Sequence, residues 1–141
     1  MADLYLRRID SSMGSWRTAR AEAAALYDRA QRVSPWDAYP HAGLGRLRRA
    51  EERYGDAVAA FRDAIALDPY SPRYRLWLGE TLARIGDRRG AAEQLREAVR
   101  LYPIEMLIIE RHEGHSAWYG QDQTDVARAH RLLSRVGEMP P

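Results

Sequence analysis

Two stretches of this chain copy each other at an interval of 34 residues, and that period restricts the fold more than any other feature. Leu44-Gly45, Ala57, Phe61, Ala64, Leu67 and Pro69 return as Leu78-Gly79, Ala91, Leu95, Ala98, Leu101 and Pro103. A chain with such an internal copy is built from one supersecondary unit used repeatedly, each unit burying its apolar face on the next. The unit is helical, being rich in Ala, Leu, Arg and Glu. Pro69 and Pro103 are expected to close its second helix, and Ser71-Pro72 places an N-cap residue before a proline at the first helical position. Gly45, Gly79, Ala57 and Ala91 are small where two antiparallel helices must come close, while Phe61 and Leu95 are large enough to fill the space between units. Gly86-Asp87 and Gly55-Asp56 are read as turns inside the units. Helices are expected over roughly 3–10, 15–33, 38–53, 56–68, 72–85, 88–102, 105–119 and 123–136.

This pattern resembles the tetratricopeptide repeat family, whose 34-residue unit carries Leu-Gly in its first helix, then Ala, a large apolar residue, Ala and a closing Pro. The resemblance implies an all-α fold, a right-handed α-solenoid of stacked antiparallel helix pairs. One period upstream, Ala23, Tyr27, Ala30 and Pro35 occupy the second-helix slots, but the Leu-Gly slot holds Asp10-Ser11 and Gly14 falls at another helical position. One period downstream, Ala129 and Leu132 fit, whereas the Leu-Gly slot is His112-Glu113 and the terminal Pro is Gly137. A single domain over 1–141 is therefore expected, with repeats at about 4–37 (its first helix degenerate), 38–71 and 72–105, and a divergent repeat or cap at 106–141. The helix from Asp125 to Val136 alternates Arg128, His130, Arg131 and Arg135 with Val126, Ala129, Leu132, Leu133 and Val136, the pattern of an amphipathic cap.

With 141 residues the chain is long enough for one continuous core. Its most apolar run, Met106 to Ile109, is far short of the ~20 residues that span a bilayer, and the N-terminus shows no signal-peptide apolar region. Having no cysteine, it has no disulfide, thiol nucleophile or thiolate metal site. All 22 basic residues are arginine and there is no asparagine. That pairing reads as the codon bias of a GC-rich genome, so arginine abundance by itself carries little functional weight. The net charge is only +2, with both signs interspersed along helix faces, which argues against a nucleic-acid tract.

In the family that the sequence resembles, the first helix of each repeat lines a concave groove where extended peptides or helices dock. By position, the resemblance implies Tyr39, Ala42, Arg46 and Arg49 from one repeat and Arg73, Leu76, Glu80 and Ala83 from the next. Arg46, Arg49 and Arg73 form an expected basic floor whose guanidinium forks match carboxylates, interrupted by Glu80. The competing reading makes these arginines solvated side chains paired with local acids. The chaperone-type carboxylate clamp, built from Lys, Arg and two Asn residues, is not expected in a chain with neither Lys nor Asn. Tyr39, Tyr74 and Trp77 have hot-spot chemistry, although core packing is the commoner fate of aromatics at helical spacing, and Trp36 is read as a cover over the seam between repeats. Leu4, Leu6 and Ile9 offer an N-terminal face for homo-oligomer formation.

Catalytic motifs are wanting: there is no P-loop, dinucleotide fingerprint or Gly-x-Ser-x-Gly elbow. His112 and His115 are three residues apart rather than four, Gly114 lies between them, and no third ligand is evident. The expected function is a non-enzymatic protein-interaction module or scaffold for a protein or peptide ligand of acidic character. No cofactor, no metal, no nucleic acid and no membrane insertion are expected. One alternative is a structural arm of a larger bacterial envelope or secretion assembly; a second, resting on His112 to His115 alone, is a metal-dependent enzyme.

Overall fold

Asp37 has extended backbone and its carboxylate accepts the Tyr39 N–H at 2.9 Å, which opens one helix; Pro72, in the first turn after Ser71, opens the helix one period later. From such signals the chain forms a stack of helices, seen in a computed structural model that describes the backbone of residues 2–111 and 116–138 and the side chains of 16–102 and 125–137. Among the described residues there are six helices and no strand: α1 (Ala2–Val33), α2 (Ala38–Ala50), α3 (Tyr54–Leu67), α4 (Pro72–Arg84), α5 (Arg88–Arg111) and α6 (Ser116–Glu138). Helices α2 and α3 pack as one pair and α4 and α5 as another, α1 packs on α2, and α6 packs on α5 and reaches α4. This is an all-α, tetratricopeptide-like solenoid.

The ends of α2 and α4 show the period at atomic level. Asp87 N–H reaches Leu82 O at 3.0 Å and Gly86 N–H reaches Ala83 O at 3.2 Å; 34 residues earlier, Arg53 N–H reaches Arg48 O at 2.9 Å and Glu52 N–H reaches Arg49 O at 3.0 Å. Such nested bonds satisfy the last carbonyls of a helix and require a left-handed residue between them. Gly86 supplies it at φ 85, but in the earlier unit a glutamate, Glu52, sits at φ 61. The turn expected at Gly55-Asp56 is thus relocated to residues 51–53, and Gly55 lies inside α3.

Three expected breaks are absent. The segments 3–10 and 15–33 form one helix, α1, because a glycine such as Gly14 costs about 1 kcal/mol in a helix interior without forbidding it. Pro69 ends its helix as expected and Pro103 does not: α5 runs through it to Arg111, past the expected repeat boundary at 105. Asp68 precedes Pro69 with φ −131 and ψ 85, and its carboxylate accepts the Tyr70 N–H at 3.3 Å, so the backbone leaves the helix before the proline. Tyr102, which precedes Pro103, is fully buried beside Leu101, so the backbone there stays packed in the helix. Finally, α6 runs from Ser116 to Glu138 without the break expected between 119 and 123.

What clamps each pair together is one small residue against one large one. A methyl added at Gly45 would stand 2.7 Å from Phe61 Cδ1 and Cε1, and one added at Gly79 would stand 2.8 Å from Leu95 Cγ. Phe61 and Leu95 are both 0% exposed, as are Ala57, Ala64, Ala91 and Ala98. Each large side chain contributes about 1.5–3 kcal/mol through burial. The main core runs from Ala57 on α3 to Ala129 and Val136 on α6, which confirms the apolar side of that helix as a packing face. A smaller cluster of Ala38, Ala42 and Ala64 joins α2 to α3, with Tyr74 and Trp77 against it. By contrast, none of the described side chains of α1 is fully buried.

These contacts set opposite expectations for two substitutions. Glu52→Gly is expected to stabilise the protein by about 0.5–1 kcal/mol by removing the left-handed penalty of a side chain. Gly45→Ala is expected to destabilise it by about 1–3 kcal/mol, since the enclosed Phe61 ring has nowhere to move. Urea unfolding of the two variants beside the parent checks both signs.

Candidate functional site

The first helices of the two full units, α2 and α4, face the same side of the stack, and α1 and α6 stand at its two ends. Between them opens a groove of about 1040 Å³. Tyr27 and Ala23 come from α1; Arg46, Leu47, Arg49 and Ala50 from α2; Glu80, Ala83 and Arg84 from α4; and Arg128, Arg131, Leu132 and Arg135 from α6. Six arginines therefore face one carboxylate across a floor that also carries leucine, alanine and tyrosine. Such a concave surface of one charge sign focuses a positive potential on its opening.

Glu80 organises this charge. Its side chain is only 9% exposed and accepts from Arg49 Nη1 of α2 at 2.6 Å, while Arg128 of α6 meets its other oxygen. One acid thus ties the second helix to the sixth across the groove. Arg46 lies over the Trp77 ring, 4.9 Å from its centroid, and Trp77 in turn stacks at 6.1 Å on Phe61 and 5.9 Å on Tyr74. Burial first, and then the nearby Asp68 and Asp37 carboxylates, raise the Tyr74 phenol above its ordinary value, so it is neutral at physiological pH. Arg84 donates to the Tyr54 hydroxyl at 3.3 Å. Among the described residues Arg131 and Arg135 have no carboxylate partner.

Of the residues singled out from the sequence, Arg46, Arg49 and Glu80 are brought together here. Leu76 is not available to a partner: it is 0% exposed in the core, because its side of α4 faces α5 rather than the groove. Arg73 lies outside the lining and its guanidinium Nε is 3.4 Å from Asp125 Oδ2, holding the start of α4 to α6. Tyr39 is exposed but at the first turn of α2, also outside the lining. Trp77 and Tyr74 belong to the packed seam, whereas Trp36 is 75% exposed rather than packed into it. Its 34-residue counterpart Tyr70 is exposed too, so the edge formed by the turns between units is aromatic.

The sequence reading missed Arg84, Arg128, Arg131 and Arg135. The spacing of the last three, at i, i+3 and i+7, places them on one face of a helix, yet nothing in the sequence turns that face toward α2. The side chains of Leu4, Leu6 and Ile9 and the cluster from His112 to His115 lie outside the described residues. Among the described residues no helix is long and apolar enough to cross a membrane, and no group of three acidic or histidine side chains is placed to hold a metal ion.

Comparison with known proteins agrees with this architecture. The tetratricopeptide repeat family matches residues 48–103, which supports a tetratricopeptide repeat reading of that stretch. No curated protein matches the sequence. Among solved structures, PcrH in complex with the chaperone binding region of PopD has a TM-score of 0.69 at 19% identity, covering 97% of this chain and 93% of that one; PcrH is a protein of Pseudomonas aeruginosa. The type III secretion chaperone SycD of Yersinia enterocolitica, in complex with a peptide of the translocator YopD, has a TM-score of 0.66 at 17% identity over 89% of this chain and 86% of that one. A type III secretion complex from Aeromonas hydrophila has a TM-score of 0.68 at 20% identity over 87% of this chain and 73% of that one. At these identities the likeness is one of fold.

The position of Glu80 separates it from ordinary surface acids. Glu80→Ala is expected to lower stability by about 1–3 kcal/mol, because it leaves Arg49 and Arg128 facing each other across the groove. Glu97→Ala, which removes only an exposed i, i+3 pair with Arg100, should change stability by less than about 0.5 kcal/mol. Urea unfolding of both variants gives the comparison.

Proposed function

We propose that this protein is an interaction module whose concave groove holds an acidic segment of a partner protein. The observation that carries the reading is the set of six arginines and one carboxylate around an open groove with an apolar floor. Guanidinium groups bind carboxylates through paired hydrogen bonds, and apolar side chains between them add burial and shape. The solved complexes of similar fold, in which PcrH holds a region of PopD and SycD a peptide of YopD, support the same use of such a stack. A nucleic acid is the poorer fit: the arginines are interleaved with Leu47, Ala50, Ala83 and Leu132, and the charge of the whole chain is only +2.

Holding rather than chemistry is the role we assign. The groove brings together arginines and one ion-paired glutamate, with no nucleophile and base in contact among the described residues. We also propose the repeat division in which 38–71 and the unit beginning at 72 are the complete repeats, with 4–37 and the C-terminal part as partial units that close the two ends of one domain.

Fluorescence anisotropy with short labelled peptides tests the reading. A peptide of glutamate and leucine is expected to bind saturably, with affinity falling as salt rises, whereas its glutamine counterpart binds at least tenfold more weakly. Equal affinity for both peptides, or none for either, would reject the acidic-segment reading.

A further inference from the structure

The six groove arginines are not equivalent. Arg49 and Arg128 already share the Glu80 carboxylate, Arg46 is stacked on Trp77, and Arg84 is joined to the Tyr54 hydroxyl. Arg131 and Arg135 remain, both exposed, both lining the groove, and neither with a carboxylate partner among the described residues. They lie four residues apart on α6, a rise of about 6 Å along the helix. Arg46 and Arg84 keep their charge but are held by neutral neighbours, so the two groove arginines without such a contact among the described residues both lie on the helix that the sequence pattern presents as a cap.

We infer that α6 is the acid-reading wall of the groove, and that Arg131 and Arg135 take two carboxylates spaced four residues apart on a partner helix. This rests on the proposed binding of an acidic segment and specifies its form. A helix lying along α6 has the same rise per residue, so an i, i+4 pair of acids meets the i, i+4 pair of arginines in register. Arg128, Arg131 and Arg135 present this face to the open groove along about two turns of α6. Leu47 and Leu132 then receive the apolar stripe of the incoming helix. Glu80 has a definite part in this arrangement, since by holding Arg128 toward α4 it leaves the next two arginines of α6 as the reading pair.

The test uses two labelled peptides, one helix-favouring with glutamates at i and i+4 beside a leucine stripe, the other identical except for a central alanine replaced by proline. Anisotropy titrations of the intact chain are expected to show the helical peptide binding at least roughly tenfold tighter than the proline peptide. Arg131→Met and Arg135→Met, exposed positions where methionine keeps the helix, should each weaken the helical peptide roughly three- to tenfold. Arg96→Met, on an exposed face of α5 outside the groove, should leave it unchanged. Equal binding of the two peptides overturns the helical ligand while the groove reading stands. A loss confined to Arg46→Met, with Arg131→Met and Arg135→Met unaffected, moves the reading wall to α2 and overturns the assignment of α6. Failure of both peptides to bind removes the acidic-segment reading itself.

Discussion

The contact of a glycine with a large side chain, Gly45 with Phe61 and again Gly79 with Leu95, is what the rest of this structure stands on. It brings the two helices of each unit close enough that a ring or an isobutyl group seals the space between them, and Phe61 extends the seal forward to Trp77 of the next unit. Because the contact recurs with the sequence period, α2 and α4 point the same way. Their outward sides then form a continuous concave surface without any residue having been placed for that purpose. Alanines at 57, 64, 91 and 98, all fully buried, keep the remaining approach tight.

On that scaffold electrostatics makes a second layer. Glu80 is the carboxylate that reaches both neighbours, Arg49 of α2 and Arg128 of α6, and Arg73 with Asp125 adds a further tie between α4 and α6. A partly buried acid between two arginines contributes modest net stability, since desolvation offsets much of the attraction. Its larger effect is geometric. It holds α6 against the open end of the stack with its arginine face turned inward, converting what would be a flat end into a groove with two walls.

The sequence carries the fold further than it carries the site. Residues whose role is steric repeat at a fixed interval and are legible as such: Gly45, Ala57, Phe61 and their counterparts predicted the antiparallel pairs and the packing within them. Where helices begin and end was harder to read, because backbone termination depends on local alternatives. Pro69 follows an aspartate that offers its own hydrogen bond to the chain beyond it, and Pro103 follows a tyrosine buried in the core, so the same residue type has opposite outcomes. Glu52 fills a left-handed position that sequence rules reserve for glycine. The groove was half legible. Arg46, Arg49 and Glu80 follow from the first-helix positions, but Leu76 turned inward and Arg73 lies outside the lining. Arg131 and Arg135 enter through the orientation of α6, which is set by contacts distant in sequence and has no trace in the repeat pattern.

The claim on which the account turns is that the concave face between α2 and α6 is the binding surface. Amide chemical-shift mapping by NMR with the glutamate and leucine peptide addresses it directly. The account predicts that shifts concentrate around Arg46, Ala50, Ala83 and Leu132, with the exposed residues of α3 such as Arg62 and Ala66 unmoved. Shifts that gather on α3 and the exposed face of α5, with those groove amides silent, would contradict it.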